Sequence, residues 1–204
     1  ETRETRKMKH IFQKENLEHP TFLLLHGTGG DERDLLGLAH FLQPEYNVLS
    51  VRGEVKENGM NRFFRRISEG VFDEVDLVNR THQLKEFIDQ ASTEYGFDKK
   101  HIIALGYSNG ANIASSLLFH YSDVFEKAIL LHPMVPIRKE LPDLSGVSVF
   151  IGASKNDPIC PPDQSIELNE LLSSANADVN LHWENSGHRI SESELNAVKN
   201  WLKK

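Results

Sequence analysis

Short apolar runs alternate with stretches of helical period along this chain, and that alternation limits the fold more than any other feature. Thr21–His26 (TFLLLH), Asn47–Val51 (NVLSV), His101–Tyr107 (HIIALGY), Lys127–Leu131 (KAILL) and Ser148–Ile151 (SVFI) have the length of strands. They are apolar on successive residues, as a strand covered on both faces requires. Asp178–Trp183 (DVNLHW) alternates instead and suits a last strand near an edge. His10–Lys14 suits an antiparallel strand at the other edge. Between these runs, helical spacing predicts helices over Asp31–Phe41, Asp73–Tyr95, Asn109–Tyr121, Pro162–Ser174 and Glu192–Leu202. The second sets Leu77, Thr81, Leu84, Ile88 and Ala91 on one stripe and stops at Gly96. Strands alternating with helices make right-handed βαβ units. The expected class is therefore α/β, a doubly wound, mostly parallel sheet with helices on both faces. Residues 8–204 read as one domain without repeat or linker, and residues 1–7 as a vector-derived remnant or disordered tail before Met8.

Gly106-Tyr107-Ser108-Asn109-Gly110 is a G-x-S-x-G pattern. At average glycine and serine usage it arises by chance in about one chain of this length in fifteen, so its setting decides its worth. Here it follows an apolar run and opens a helical one, the strand–turn–helix setting that exposes a serine on a sharp turn. The helix N-terminus then turns free N–H groups toward developing negative charge. A helix-capping serine in a plain glycine turn is the alternative.

A serine hydroxyl becomes a nucleophile only beside a base that a third group orients. Asp157 and His188 follow Ser108 in the order Ser, acid, His, each on a loop directly after a candidate strand. Such loops lie at the carboxyl ends of strands, where parallel sheets carry their sites. With 10 histidines in the chain, position and the preceding glycine single out His188. Asp163 and Asp178 compete with Asp157, but Asp163 falls at a helix entrance and Asp178 at the wrong end of its strand. His26-Gly27-Thr28-Gly29-Gly30 lacks the Lys-Ser/Thr of a phosphate loop. It suits half of an oxyanion hole, with the backbone N–H of Thr28 beside that of Asn109.

HGTGGDERDL, GYSNGANIA, NDPICP and ENSGH, in that order, resemble the phospholipase/carboxylesterase family of α/β-hydrolases, which includes acyl-protein thioesterases. VRGEVKENGMNRFFRR and HPMVP resemble most the small bacterial hydrolases of hydroquinone and quinone stress. The resemblance runs from Met8 onward. It implies a serine esterase with Ser108, Asp157 and His188 as triad, and Thr28 and Asn109 as oxyanion hole. Asn109 stands where the thioesterases usually carry glutamine, which preserves a backbone role and leaves a side-chain role open.

The segment Arg52–Arg66 leaves a strand end and offers Met60, Phe63 and Phe64 to a pocket, with Met134 and Val135 as a second wall. Phe63 and Phe64 suit the core equally well. Arg62, Arg65 and Arg66 suit either an anionic substrate group or, by preference, a solvated face. No long insertion separates the strands, so no large cap domain is expected. A lone cysteine, Cys160, excludes an internal disulfide and reads as an inert thiol in a reducing compartment.

A net charge of −7 repels nucleic acid, and no apolar run reaches the ~18–20 residues of a membrane span. The polar start Glu1–His10 lacks a secretory h-region, so a cytoplasmic location is expected. Without HExxH, CxxC or an acidic metal loop, neither metal nor organic cofactor is expected. The expected partner is a small-molecule ester or thioester, and a homodimer is left open. A ligand-binding sensor on the same scaffold, and a lactone or C–C hydrolase of aromatic breakdown products, are the competing functions.

Overall fold

The computed structural model describes residues 7–204; the expected tail over residues 1–7 lies, apart from Lys7, outside the described residues. A seven-stranded sheet holds β1 (His10–Gln13), β2 (Thr21–Leu25), β3 (Asn47–Val51), β8 (Ile102–Tyr107), β9 (Lys127–Leu131), β10 (Ser148–Ser154) and β11 (Asp178–Glu184). Their order is β1-β3-β2-β8-β9-β10-β11, and every pair is parallel except β1 with β3. The numbers missing from the sheet belong to two small hairpins, β4 (Val55–Glu57) with β5 (Met60–Arg62), and β6 (Arg66–Ser68) with β7 (Val71–Phe72).

Side-chain alternation along the buried strands divides the core between the two faces. Leu23 and Leu25 of β2 face one cluster with Ala104 and Ile151, while Phe22 and Leu24 face a second with Leu105 and Phe150. The first is covered by α2 (Glu74–Tyr95), α3 (Asn109–His120) and α4 (Pro162–Ser174). The second is covered by α1 (Leu36–Leu42) and α5 (Glu192–Leu202). The chain leaves β2 toward β3 and returns to β8 on its other side. The sheet's switch point therefore lies between β2 and β8, where their carboxyl ends open a crevice.

Helix α2 has the expected ends: Asp73 caps it by accepting from the Asp76 N–H, and Gly96 closes it at φ 79. Helix α1 is shorter than its sequence pattern. The Asp31 side chain captures the Arg33 N–H at 2.8 Å in a turn, so helix begins only at Leu36. The expected pocket segment Arg52–Arg66 contains the β4–β5 hairpin and ends on the first residue of β6. Asn58 and Gly59 sit at φ 50 and 81, the two positive values that a two-residue hairpin turn requires.

Candidate active site

Ser108 stands between β8 and α3 at φ 52 and ψ −112, a conformation that a serine adopts only when its surroundings impose it. The flanking glycines explain why the turn can close. A Cβ on Gly106 would lie 2.6 Å from the Gly110 carbonyl oxygen, and a Cβ on Gly110 only 1.9 Å from that of Leu25. The Ser108 N–H is held by the Leu131 carbonyl of β9 at 2.9 Å, so the turn is pinned to the sheet.

Three of the expected residues meet there in one hydrogen-bonded chain. Ser108 Oγ lies 2.8 Å from His188 Nε2, and His188 Nδ1 lies 2.8 Å from Asp157 Oδ2. The other oxygen of Asp157 accepts the N–H groups of Ile159 and Cys160, each at 2.9 Å. Burial would raise this carboxyl, but the Cys160 N–H, His188 and the Ile159 N–H together hold it below the usual carboxylate value. The carboxylate therefore fixes the His188 tautomer: Nδ1 carries the proton and Nε2 is free to accept one from serine. Asp163 lies in the first turn of α4 and Asp178 begins β11 at the far end of the sheet, so neither joins this chain.

The acid and base loops are tied to each other. Ser154 Oγ accepts the Ser186 N–H at 2.9 Å, Asn156 Oδ1 accepts the Gly187 N–H at 2.9 Å, and the Asn156 amide donates to the Asn185 carbonyl. The Tyr107 hydroxyl donates to the His188 carbonyl at 2.5 Å, and its ring lies against the imidazole at 5.5 Å. Burial first, then the nearby Asp157 charge, push this phenol up to about 12, so it stays a donor across the working pH range.

Behind the triad lies a pair the sequence reading did not select. His132, at φ 56 after β9, places Nδ1 3.2 Å from Asp157 Oδ2 and Nε2 3.0 Å from Glu194 Oε1 of α5. All three side chains are essentially unexposed. Burial alone would lower the His132 value, but Glu194 and then Asp157 outweigh it and hold it raised. His132 is thus an imidazolium that donates to both carboxylates. With His188 and two backbone N–H groups, it fills the acceptor capacity of Asp157. His132, Asp157 and His188 also bring one potential metal-ligand atom each within 4.8 Å of one another. Those atoms are engaged in the hydrogen bonds just described.

The backbone N–H groups of Thr28 and Asn109 donate to no acceptor among the described residues. Asn109 is the first residue of α3, where such groups are free by construction of a helix. The loop that carries Thr28 is clamped by the β4–β5 hairpin. Gly29 N–H donates to the Asn61 carbonyl at 2.9 Å, the Asn61 amide to the Gly30 carbonyl at 2.8 Å, and Arg62 Nη1 to Thr28 Oγ1 at 2.6 Å. His26, just before it, donates from Nδ1 to the Gly27 carbonyl and accepts the Gly53 N–H at Nε2. Its burial lowers its proton affinity, in keeping with a neutral ring that has both nitrogens satisfied. Glu32 anchors the far side through a two-pronged pair with Arg52 at 2.6 and 3.0 Å.

The cleft beside Ser108, with a cavity volume of about 30 Å³, differs from the expected pocket. Phe63 and Phe64 are core residues, and Val135 is buried with them. The side-chain oxygen of Asn109 accepts the Phe63 N–H at 2.7 Å, joining this segment to the nucleophile helix. Met134 does line the cleft. Met60 is 40% exposed and packs near Gly29 instead. Arg62, Arg66, Phe72, Asn112 and Ile159 complete the walls, with the Cys160 thiol, which burial and the Asp157 charge hold protonated. Arg62 corrects the solvated-face expectation, because it is only 2% exposed. Arg65 lies on the exposed side, its N–H held by Asp76.

No helix of the described residues is long and apolar enough to cross a membrane. The sequence profile of the phospholipase/carboxylesterase family matches residues 6–204. The hydrolase MhqD of Bacillus subtilis (strain 168) is 54% identical over 197 residues, covering 96% of this chain and 98% of its own. The crystal structure of a Bacillus cereus carboxylesterase superposes with a TM-score of 0.94 at 56% identity, covering 96% of this chain and 93% of that one. The structure of YahD with malic acid superposes with a TM-score of 0.92 at 30% identity, covering 97% and 98%. The sheet order, the absence of a large cap and these likenesses agree: the chain belongs to the phospholipase/carboxylesterase family of carboxylic ester hydrolases and has the α/β-hydrolase fold.

Proposed function

We propose that the protein hydrolyses small carboxylic esters or thioesters through an acyl-enzyme on Ser108. In this reading His188 Nε2 takes the Ser108 proton as Oγ attacks the substrate carbonyl, and Asp157 stabilises the imidazolium that forms. The carbonyl oxygen becomes an oxyanion held by the N–H groups of Thr28 and Asn109. Collapse of the tetrahedral intermediate breaks the bond to the alcohol or thiol, which leaves with the proton from His188. Water then adds to the acyl carbonyl, giving its proton to His188 and regenerating Ser108 as the carboxylic acid departs.

The observation that supports this best is the conjunction of the 2.8 Å Ser108–His188 and 2.8 Å His188–Asp157 contacts with two free backbone donors on the nucleophile's side. A capping serine would need neither the histidine nor the left-handed backbone. The small cleft favours short substrates, and the neighbour YahD is known with malic acid, itself a small hydroxy acid. Replacement Ser108→Ala is expected to lower kcat for a short-chain 4-nitrophenyl ester by about three orders of magnitude or more. Wild-type turnover by that variant would refute the acyl-enzyme.

A further inference from the structure

Two arginines line the cleft, and only one of them is paired at close range with a carboxylate. Arg62 is buried at the end of β5, and Arg66 stands at the start of β6, both beside Ser108. Glu57 lies between them, and the Glu69 charge acts on Arg66 from farther away. Glu57 accepts two prongs from Arg66, at 2.7 and 3.0 Å, but comes no nearer than 3.7 Å to Arg62 Nε. Arg62 is held by uncharged partners: Nε donates to the Phe64 carbonyl at 3.0 Å and Nη1 to Thr28 Oγ1 at 2.6 Å. Its Nη2 donates to nothing among the described residues. A buried guanidinium without a close carboxylate is an expensive arrangement unless something else supplies the negative charge. Burial, and next the like charge of Arg66, bring Arg62 down to about 10, against the pull of Glu57.

The Thr28 contact locates this charge. The hydroxyl that accepts from Arg62 belongs to the residue whose N–H faces the reacting carbonyl, so the guanidinium lies one side chain from the chemistry. A positive wall at that distance discriminates between substrates by charge, and guanidinium nitrogens pair with carboxylate oxygens in a planar fork. We propose that the Arg62–Arg66 wall selects esters bearing a second, free carboxylate, which it binds while Ser108 attacks the ester carbonyl. This rests on the hydrolase reading above and adds the substrate class to it. Met134, Phe72 and Ile159 also line the cleft and offer apolar surface to the uncharged part of the substrate.

The test uses two matched pairs, one with the carboxylate on the acyl side and one with it on the alcohol side. The first compares the mono-4-nitrophenyl ester of adipic acid with its methyl ester; the second compares 3-acetoxybenzoate with its methyl ester. The quantity read is the ratio of kcat/KM for the anionic over the neutral member. For the side that faces the arginines, the wild type is expected to favour the anion by about tenfold to a hundredfold, as a charge-assisted hydrogen bond allows. Arg66→Gln leaves Glu57 to neutralise Arg62, so the ratio falls toward one; Glu57→Gln removes the competing carboxylate, so the ratio rises. Opposite movements from two neighbouring substitutions cannot come from general loss of structure. Ratios near one in both pairs, or ratios that both variants leave in place, overturn the anion wall while the esterase stands. No turnover of any of the four esters, with Ser108 unreactive to a fluorophosphonate, overturns the hydrolase reading and this proposal with it.

Discussion

Replacing Glu194 by glutamine removes one charge from the buried chain behind the triad and almost nothing else. The amide oxygen can still accept from His132 Nε2, now 3.0 Å from Glu194 Oε1. The second carboxylate oxygen, Oε2, is buried without a partner, so an amide nitrogen there exchanges one unsatisfied group for another. What is lost is charge assistance. A hydrogen bond to an ionised partner contributes about 1.5–3 kcal/mol and a neutral one about 0.5–1.5, so the expected loss is about 1–2 kcal/mol. For a chain of this length that is a fall of about 2–8 °C in Tm. Glu194→Ala leaves His132 Nε2 without a partner and Asp157 as its one carboxylate, and is expected to cost about 3–5 kcal/mol.

The pH dependence gives the sharper test of this pair. His132 is raised above the ordinary imidazole value of 6.5 in the folded protein, so the fold binds a proton more tightly than the unfolded chain does. The stability this contributes is fully present below about pH 6.5 and is lost as pH rises through the raised value. The gap between wild type and Glu194→Gln should accordingly be widest near about pH 6 and shrink toward about pH 9, read by thermal unfolding across that range. A glutamine variant that melts with the wild type at about pH 6, or a gap that widens with pH, would refute the imidazolium between two carboxylates.

Other substitutions test the remaining contacts. Asp157→Asn keeps an acceptor for the Ile159 and Cys160 N–H groups but turns an NH₂ toward imidazole donors. The protein should fold while kcat falls by about 10³–10⁴, measured on a short-chain ester. Tyr107→Phe removes the hydroxyl that holds the His188 carbonyl. A loss of about 1 kcal/mol, or about fivefold in kcat/KM, is expected with little change in Tm. Gly110→Ala places a methyl group 1.9 Å from the Leu25 carbonyl oxygen, where only backbone could yield. Destabilisation beyond the usual 1–3 kcal/mol of overpacking and loss of Ser108 reactivity are expected; a soluble, fully active alanine variant would show that the turn has room.

What could be read in the sequence depended on whether the information was local. The sheet strands were legible because burial on both faces leaves apolar runs, and β2 is buried along its whole length. Ser108, Asp157 and His188 were legible because each stands within a few residues of a strand's carboxyl end, so order along the chain translates into position at one sheet edge. The β4–β5 hairpin carried its signal in Asn58-Gly59 but lay in a segment weighed only for its aromatics and arginines. The His132–Glu194 pair could not be read, since its members are far apart in sequence and meet only when α5 packs on the sheet. Arg62 illustrates the same limit. Its charge suggested solvent, whereas tertiary packing buried it against Thr28 and Phe64. The early turn that shortens α1 was set by a side chain, Asp31, competing for backbone N–H groups that helical spacing alone would assign to the helix.

The most direct measurement is reaction of the folded protein with a fluorophosphonate, with the modified residue located by peptide mass spectrometry. A serine activated by His188 and Asp157, with two backbone donors beside it, predicts a single adduct on Ser108. That adduct should be absent in Ser108→Ala and form far more slowly in Asp157→Asn. Folded protein that takes up no reagent, or that carries it on another residue, would contradict the activated serine on which the proposed hydrolysis depends.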